Sequence, residues 1–355
     1  MRIASKFLTR EIKSFGSKLG FARVGVAPPD LSLWAERFRH WLDQGFEGEM
    51  RYMARDAGRR TDPRAIFPGV RSVVVVSMNY YPGEHHRECL QDPAAGYIAN
   101  YALHEDYHPL IESKLTQLLQ HINSLTDDKV QGKIYVDTGP VPEKAFAVMA
   151  GMGWMGRHSL LISQDAGSWL LLGVLLLDAE LDFDEPVRDQ CGDCTRCIES
   201  CPTQAILSPY VVDARRCISY LLGELKGAIP VEMRPWIGNR VFGCDDCQWA
   251  CPYNKGAAVS TEASLAPKKE LTFPSLIVLM GMRDGDFKGL FYNNPVMRVK
   301  RGRFLRNVAV ALGNSGDQRA VPALEKRLSD PDPMVREHVE WAINRLGGRA
   351  REGMG

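Results

Sequence analysis

The chain has 355 residues, 45% of them hydrophobic and 25% charged, with a formal net charge of +1. That composition is ordinary for a soluble globular protein with room for more than one domain, and its bulk charge selects no partner. The N-terminal run MRIASKFLTREIKSFG has no apolar stretch of signal-peptide length, and Leu170 to Leu177 is far shorter than the ~20 residues a bilayer span needs, so a cytoplasmic protein with no membrane partner is expected.

In chain order, apolar residues recur at helical spacing from Ile3 to Leu19 and stop at Gly20. Val70 to Met78 is a β-branched run that reads as a buried strand. His108 to Ile122 reads as a helix. Lys133 to Val136 reads as a short strand running into the turn Asp137-Thr-Gly-Pro140. Pro142 to Met149 reads as a helix with proline in its first turn. Gly151 to Gly156 is a glycine-punctuated loop, and Ser168 to Leu177 is again a strand. Strands alternating with helices predict an α/β (α+β) layer domain over residues 1–180.

An acidic, proline-containing linker, Leu181 to Val187, leads into a cysteine-rich module spanning residues 181–260. Lys255 to Lys269 reads as a second linker. Residues 270–355 read as a helical domain. Helices are expected over Phe304–Leu312, Ala320–Leu328 and Met334–Leu346, broken at Gly313-Asn-Ser-Gly316 and Ser329-Asp-Pro-Asp-Pro333. The phrase Asp332-Pro-Met-Val-Arg336 followed by Ala342 and Leu346 resembles a HEAT repeat. Two helix pairs are fewer than such repeats need to stand alone, so this segment should pack on the preceding domain.

Eight of the nine cysteines fall between Cys191 and Cys251; only Cys89 lies outside and reads as a plain thiol. In a reducing compartment such clustering means metal ligands rather than bridges. Cys191-x2-Cys194-x2-Cys197-x3-Cys201-Pro202 is the bacterial ferredoxin run, in which the fourth cysteine serves the other cluster. Cys244-x2-Cys247-x3-Cys251-Pro252 is the second motif, with Cys217 upstream. Two-residue gaps let one loop wrap three corners of a cubane. The inferred pairing is interleaved: Cys191, Cys194, Cys197 and Cys251 for one [4Fe–4S] cluster, and Cys201, Cys217, Cys244 and Cys247 for the second. Zinc is the competing reading, since CxxC pairs also bind it.

Longer motifs resemble a known family. Val136-Asp-Thr-Gly-Pro140, Glu143, Ala150-Gly-Met-Gly-Trp-Met-Gly156, Ser159-Leu-Leu-Ile162, Asp213-Ala-Arg-Arg-Cys-Ile-Ser-Tyr220, Gly238-Asn-Arg240 and Gly243-Cys-Asp-Asp-Cys-Gln248 are similar to epoxyqueuosine reductases, over essentially the whole chain. The resemblance implies an oxidoreductase that reduces epoxyqueuosine to queuosine at the wobble position of tRNA anticodons, the last step of queuosine biosynthesis. It implies base-off cobalamin, two [4Fe–4S] clusters, an external low-potential electron donor and kinship with reductive dehalogenases. A monomer is expected.

By the same resemblance Asp137 is the proton donor and a cobalamin contact. That role calls for a carboxyl pKa raised by burial; a turn-initiating aspartate is the alternative. The loop from Gly151 to Ser159 is expected along the corrin, with Gly156, His158 and Ser159 as contacts. Arg60 and Asn100 are further expected contacts, although the family pattern has arginine where this chain has Asn100. Asp106-Tyr107-His108 matches that pattern.

Arg298-Val-Lys-Arg-Gly-Arg-Phe-Leu-Arg306 is a basic run without an acid. Arg298, Lys300, Arg301 and Arg303 are expected to contact tRNA phosphates, against the alternative of a solvated helix face. Two other functions stay open. A reductive dehalogenase would carry an export signal and leave the helical tail and basic run without a use. A non-catalytic electron carrier would bind no corrinoid and be indifferent to Asp137→Ala.

Overall fold

The Val73-Val-Val-Val76 run lacks polar alternation because both faces of its strand are covered. In the computed structural model, which describes residues 5–127 and 129–352, four strands form this sheet. They are β1 (Arg23–Ala27), β2 (Ser72–Asn79), β3 (Gly132–Tyr135) and β4 (Leu170–Leu177), in spatial order β1–β2–β4–β3. Every pairing is antiparallel, with Val74 opposite Leu175 at the centre. Alternate residues go to opposite faces. Val74, Val76 and Met78 pack with Ile12 of the helix Ser5–Lys18 and Ile111 and Leu115 of the helix Tyr107–Leu125. Val73 and Val75 pack with Ala145 and Phe146 of the helix Glu143–Met149. Gly173 permits one of these contacts: a Cβ there would stand 2.6 Å from Ile111 Cγ2.

The expected helices and strands are present within a few residues of their bounds; Ile3 lies outside the described residues. The sequence reading missed β1 and the helix Ser32–Asp43. It also took Lys255 to Lys269 for a linker. That segment instead runs back over the first domain, with Leu265 in its core and Glu262 paired to Lys114 Nζ at 2.8 Å.

The cysteine module is mostly irregular, with short helices Arg196–Glu199 and Asp246–Trp249 inside its two motifs. Arg240–Phe242 pairs in parallel with Tyr97–Ile98 of the first domain. The Asn239 amide donates to Cys89 O at 2.7 Å and Ala95 O at 3.0 Å.

The tail consists of Lys300–Ser315, Val321–Glu325 and Pro333–Glu352. Gly313 does not break the first helix but lies against Trp341 and Ala342, and Gly316 ends it at φ +73°. The tail packs on the preceding domain, as its short length demands. Its core includes Ile98, Leu103, Val241 and Phe242. The buried Arg306 guanidinium donates to Leu221 O, Leu225 O and Gly227 O, and Asn307 Nδ2 to Leu222 O and Val241 O. Among the described residues no helix is long and apolar enough to cross a membrane.

Candidate active site and cluster module

Asp137 follows β3 in a left-handed conformation, φ +56°, which a residue with a Cβ adopts only under constraint. Its N–H donates to Glu143 Oε1 at 2.6 Å, at the start of the next helix. The turn aims the carboxylate at the N-terminus of the helix Tyr107–Leu125. Tyr107 OH donates to Asp137 Oδ2 at 3.3 Å; His108 Nε2 lies 3.5 Å and Arg298 Nη1 3.9 Å from the same oxygen. Asp106 caps that helix by accepting the His108 backbone N–H, and its carboxylate contacts His108 Nδ1 at 2.5 Å.

Burial opposes charge on His108, but the Asp106 and Asp137 carboxylates outweigh it and raise the pKa to about 9. Depth in the molecule likewise opposes charge on Asp137. Here His108, Arg298 and Tyr107 win and hold the carboxyl below the usual aspartate range. This corrects the expectation of an aspartate raised by burial: at rest the pair is an imidazolium beside a carboxylate. Glu143 behaves oppositely, since burial and then the charge of Asp137 push it up to about 8. Asp137 keeps 60% of its side-chain surface open and His108 only 8%. Of the two, Asp137 is the one placed to meet a ligand.

Asp137 opens onto a cavity of about 910 Å³, large for a ligand site. Arg60, Glu143, Lys144 and Ser159 line its polar part; Trp34, Phe38, Trp41, Phe46 and Tyr52 line an aromatic part. Trp34, Phe38 and Trp41 recur at helical spacing on Ser32–Asp43, a stripe that in sequence looks like core. Arg60 lies over the Tyr52 ring at 5.6 Å, and its buried Nε has no protein partner. Lys144 Nζ donates to Ser159 O at 2.8 Å.

Three expected contacts are not on this cavity. Gly156 closes the turn between the short strands Trp154–Met155 and Leu161–Ile162, its N–H donating to Leu160 O, and the space a Cβ would take is filled by Ile162 and His158. His158 turns away to the cysteines. Asn100 is fully buried beside Asp245, which accepts its backbone N–H at 2.7 Å; neither atom of its side-chain amide has a protein partner.

Cys191, Cys194, Cys197 and Cys251 line one small void together with Arg157, His158 and Tyr253. Cys247 lies close enough to Cys217 and Cys201, and Cys244 to Cys247, for their charges to raise one another's pKa on top of burial. These are the two groups of four that the interleaved pairing expects. The second set is the inner one, toward Lys144 of the cavity wall. Lys144 feels the charges of Cys247 and Cys217 as well as those of Asp137 and Glu143.

The basic run does not form one open patch. Arg301 is tied to Met282 O and the fully buried Asp330. Arg303 donates to Val299 O, Gly223 O and Arg298 O. Arg298 reaches the Asp137–His108 pair, with Nη2 3.1 Å from both ring nitrogens of His108. Intramolecular bonds thus take up Arg301 and Arg303, Arg298 is half exposed and lies toward the Asp106 and Asp137 carboxylates, and Lys300 is exposed.

Comparisons with known proteins divide the chain similarly. Residues 60–138 match the family described as epoxyqueuosine reductase QueG, DUF1730. Residues 190–254 match a 4Fe-4S double cluster binding domain, and residues 302–352 match HEAT repeats. The chain is 44% identical to an epoxyqueuosine reductase of Salmonella typhimurium, over 95% of this chain and 88% of that protein. It is 41% identical to one of Pseudomonas aeruginosa, over 96% and 95%. A crystal structure of epoxyqueuosine reductase with an epoxyqueuosine-modified tRNA-Tyr stem loop superposes with a TM-score of 0.86 at 28% identity, covering 98% of this chain and 92% of that one. The Bacillus subtilis enzyme, captured with an aspartate catalytic loop swung out of the active site, gives 0.87 at 27% identity, covering 97% and 91%.

Proposed function

The chain belongs to the epoxyqueuosine reductase family, and we propose that it reduces epoxyqueuosine in tRNA to queuosine, with cobalamin in the large cavity and electrons supplied through two [4Fe–4S] clusters. The observation that carries this reading is the placement of Asp137. It is a carboxylate set beside His108 and open to a cavity whose Lys144 feels the charges of Cys247 and Cys217.

The cavity residues fit a corrinoid. The unpartnered Arg60 Nε suits an amide side chain, and Trp34, Phe38, Trp41 and Tyr52 suit an apolar macrocycle. Cobalamin, when bound, supplies a low-valent cobalt able to deliver electrons to an epoxide. Cys191, Cys194, Cys197 and Cys251 would hold an outer cluster, and Cys201, Cys217, Cys244 and Cys247 an inner one next to the cavity. An external low-potential donor would feed the outer cluster. No second copy of the chain is required, and a tRNA substrate sets the work in the cytoplasm.

The chain's own contribution is the proton. Reducing an epoxide to an alkene takes two electrons and two protons and releases the oxygen as water; breaking the first C–O bond leaves negative charge on that oxygen, where the first proton is needed. At rest the proton is held on His108 Nε2, 3.5 Å from Asp137 Oδ2. A ligand that displaces water from the cavity penalises the carboxylate charge, so the proton moves from His108 to Asp137 and on to the substrate oxygen. Asp106 fixes the imidazole through Nδ1, leaving Nε2 for the transfer. Glu143 holds the left-handed turn, and Tyr107 and Arg298 steady the carboxylate. The target nucleoside must leave its stack to reach this cavity, as single-stranded RNA bases do when they are read. Lys300 is an exposed cation available to a phosphate.

The test is anaerobic turnover of epoxyqueuosine-containing tRNA by protein loaded with iron, sulfide and cobalamin. Queuosine is the expected product. Protein with full iron content but no affinity for cobalamin and no turnover would leave only an electron carrier.

A further inference from the structure

The loop from Trp154 to His158 separates the two halves of the site. Met155 and Ser159 line the large cavity, whereas Trp154, Arg157 and His158 face the outer cysteine set. Two side chains on that outer side are buried donors with no nitrogen or oxygen partner. His158 is 5% exposed and Trp154 is 2% exposed. His158 Nδ1 accepts the Leu160 N–H at 3.2 Å, so its proton is on Nε2, and that atom lies buried and unpaired on the wall of the void lined by Cys191, Cys194, Cys197 and Cys251. The Trp154 indole can only donate; its N–H is buried with no nitrogen or oxygen partner and is directed at the Cys191 sulfur, and the ring packs with Cys191 and Cys251. Buried donors are rarely left unsatisfied, because each costs about 1–3 kcal/mol.

We propose that His158 Nε2–H and the Trp154 indole N–H donate to sulfurs of the outer cluster, making this loop of the first domain the element that sets that cluster's reduction potential. The proposal rests on the cluster reading of the cysteines. N–H···S bonds stabilise the extra electron of the reduced state and so raise the potential. The ferredoxin-like cysteine run brings thiolates but not these donors, which come from a segment more than thirty residues upstream. His158 and Trp154 are positioning residues: they touch neither substrate nor Asp137. Their effect would be to make the outer cluster the easier one to reduce, so that it accepts an electron from a donor before the inner one does.

The experiment uses the full chain reconstituted anaerobically. Iron content is measured first, and about eight iron per chain is required of wild type and variants; a lower wild-type value would overturn the cluster reading itself. An EPR-monitored redox titration then resolves two reduction steps. His158→Phe and Trp154→Phe each remove a donor at nearly constant shape. Each should shift one step to lower potential and leave the other in place, and the double variant should shift it further. Both steps unmoved, or both moved equally, would overturn the proposal. If a variant assembles less iron, the wild-type protein decides. Its reduced outer cluster should show hyperfine coupling to an exchangeable proton and to ¹⁵N-labelled histidine, and the absence of both couplings rejects the donors.

Discussion

The cysteine module and the Asp137 site obtain their geometry in opposite ways. The module's ligands come mostly from two short loops, each with its spacing fixed by the need to wrap a cubane. The Asp137 site is gathered from Asp106–His108 on one helix, Asp137 on a strained turn, Glu143 on the next helix and Arg298 at the entry to the tail. On the proposed reading, electrons are handled by groups that chain spacing brings together, protons by groups that only the fold brings together. The first arrangement fails all at once when a ligand is lost. The second should degrade by steps, according to whether the lost group touches substrate, stores the proton or holds the turn.

That contrast can be broken most severely at an inner ligand. Cys217→Ala should abolish turnover and reduce iron from about eight to about four per chain, read by iron and sulfide analysis. Asp137→Ala should retain all its iron yet lose ~10²–10⁴-fold in single-turnover rate, the usual worth of a positioned acid. Wild-type rate for a fully loaded Asp137→Ala protein would remove the aspartate from the mechanism. His108→Gln should lose less, about 10–100-fold, and should alter the pH profile. The His108 pKa is raised to about 9, so the stored proton is present below that value and is lost as pH rises through it. Wild type should show that alkaline limb and the variant should lack it. The smallest effects divide the basic run. Lys300→Ala should weaken tRNA binding modestly and lower the salt slope by about one, without changing the melting temperature. Arg301→Ala should instead cost about 1–3 kcal/mol of stability, because it leaves the buried Asp330 Oδ2 with only the longer contact to Arg327. Thermal unfolding beside a binding titration separates the two.

Legibility followed the same division. The eight clustered cysteines could be read from spacing as a two-cluster module, and the two-sided burial of β2 from its run of valines. His108 was visible only as part of Asp106-Tyr107-His108; nothing local to it announces a partner 29 residues downstream. Arg298 looked like one more cation in a basic run because sequence cannot say which arginines turn inward. The glycines of the 151–156 loop were read as space for a macrocycle, but Gly156 makes room for the protein's own Ile162 and His158. The aromatic stripe at Trp34, Phe38 and Trp41 has the periodicity of a core, and only the cavity beside it reveals another use.

The pair Arg306 and Asn307 bears on how such a protein can be divided or inherited. From one turn of the first tail helix they supply donors to five carbonyls, of Leu221, Leu222, Leu225, Gly227 and Val241, all in the cysteine module. Deleting the chain from residue 300 onward would strand those acceptors and uncover Val241 and Phe242. The module is therefore not a detachable ferredoxin with an appendage. A lineage that shed the tail would need a substitute set of donors on the same face, and a shortened gene without them should yield insoluble protein rather than a smaller electron carrier.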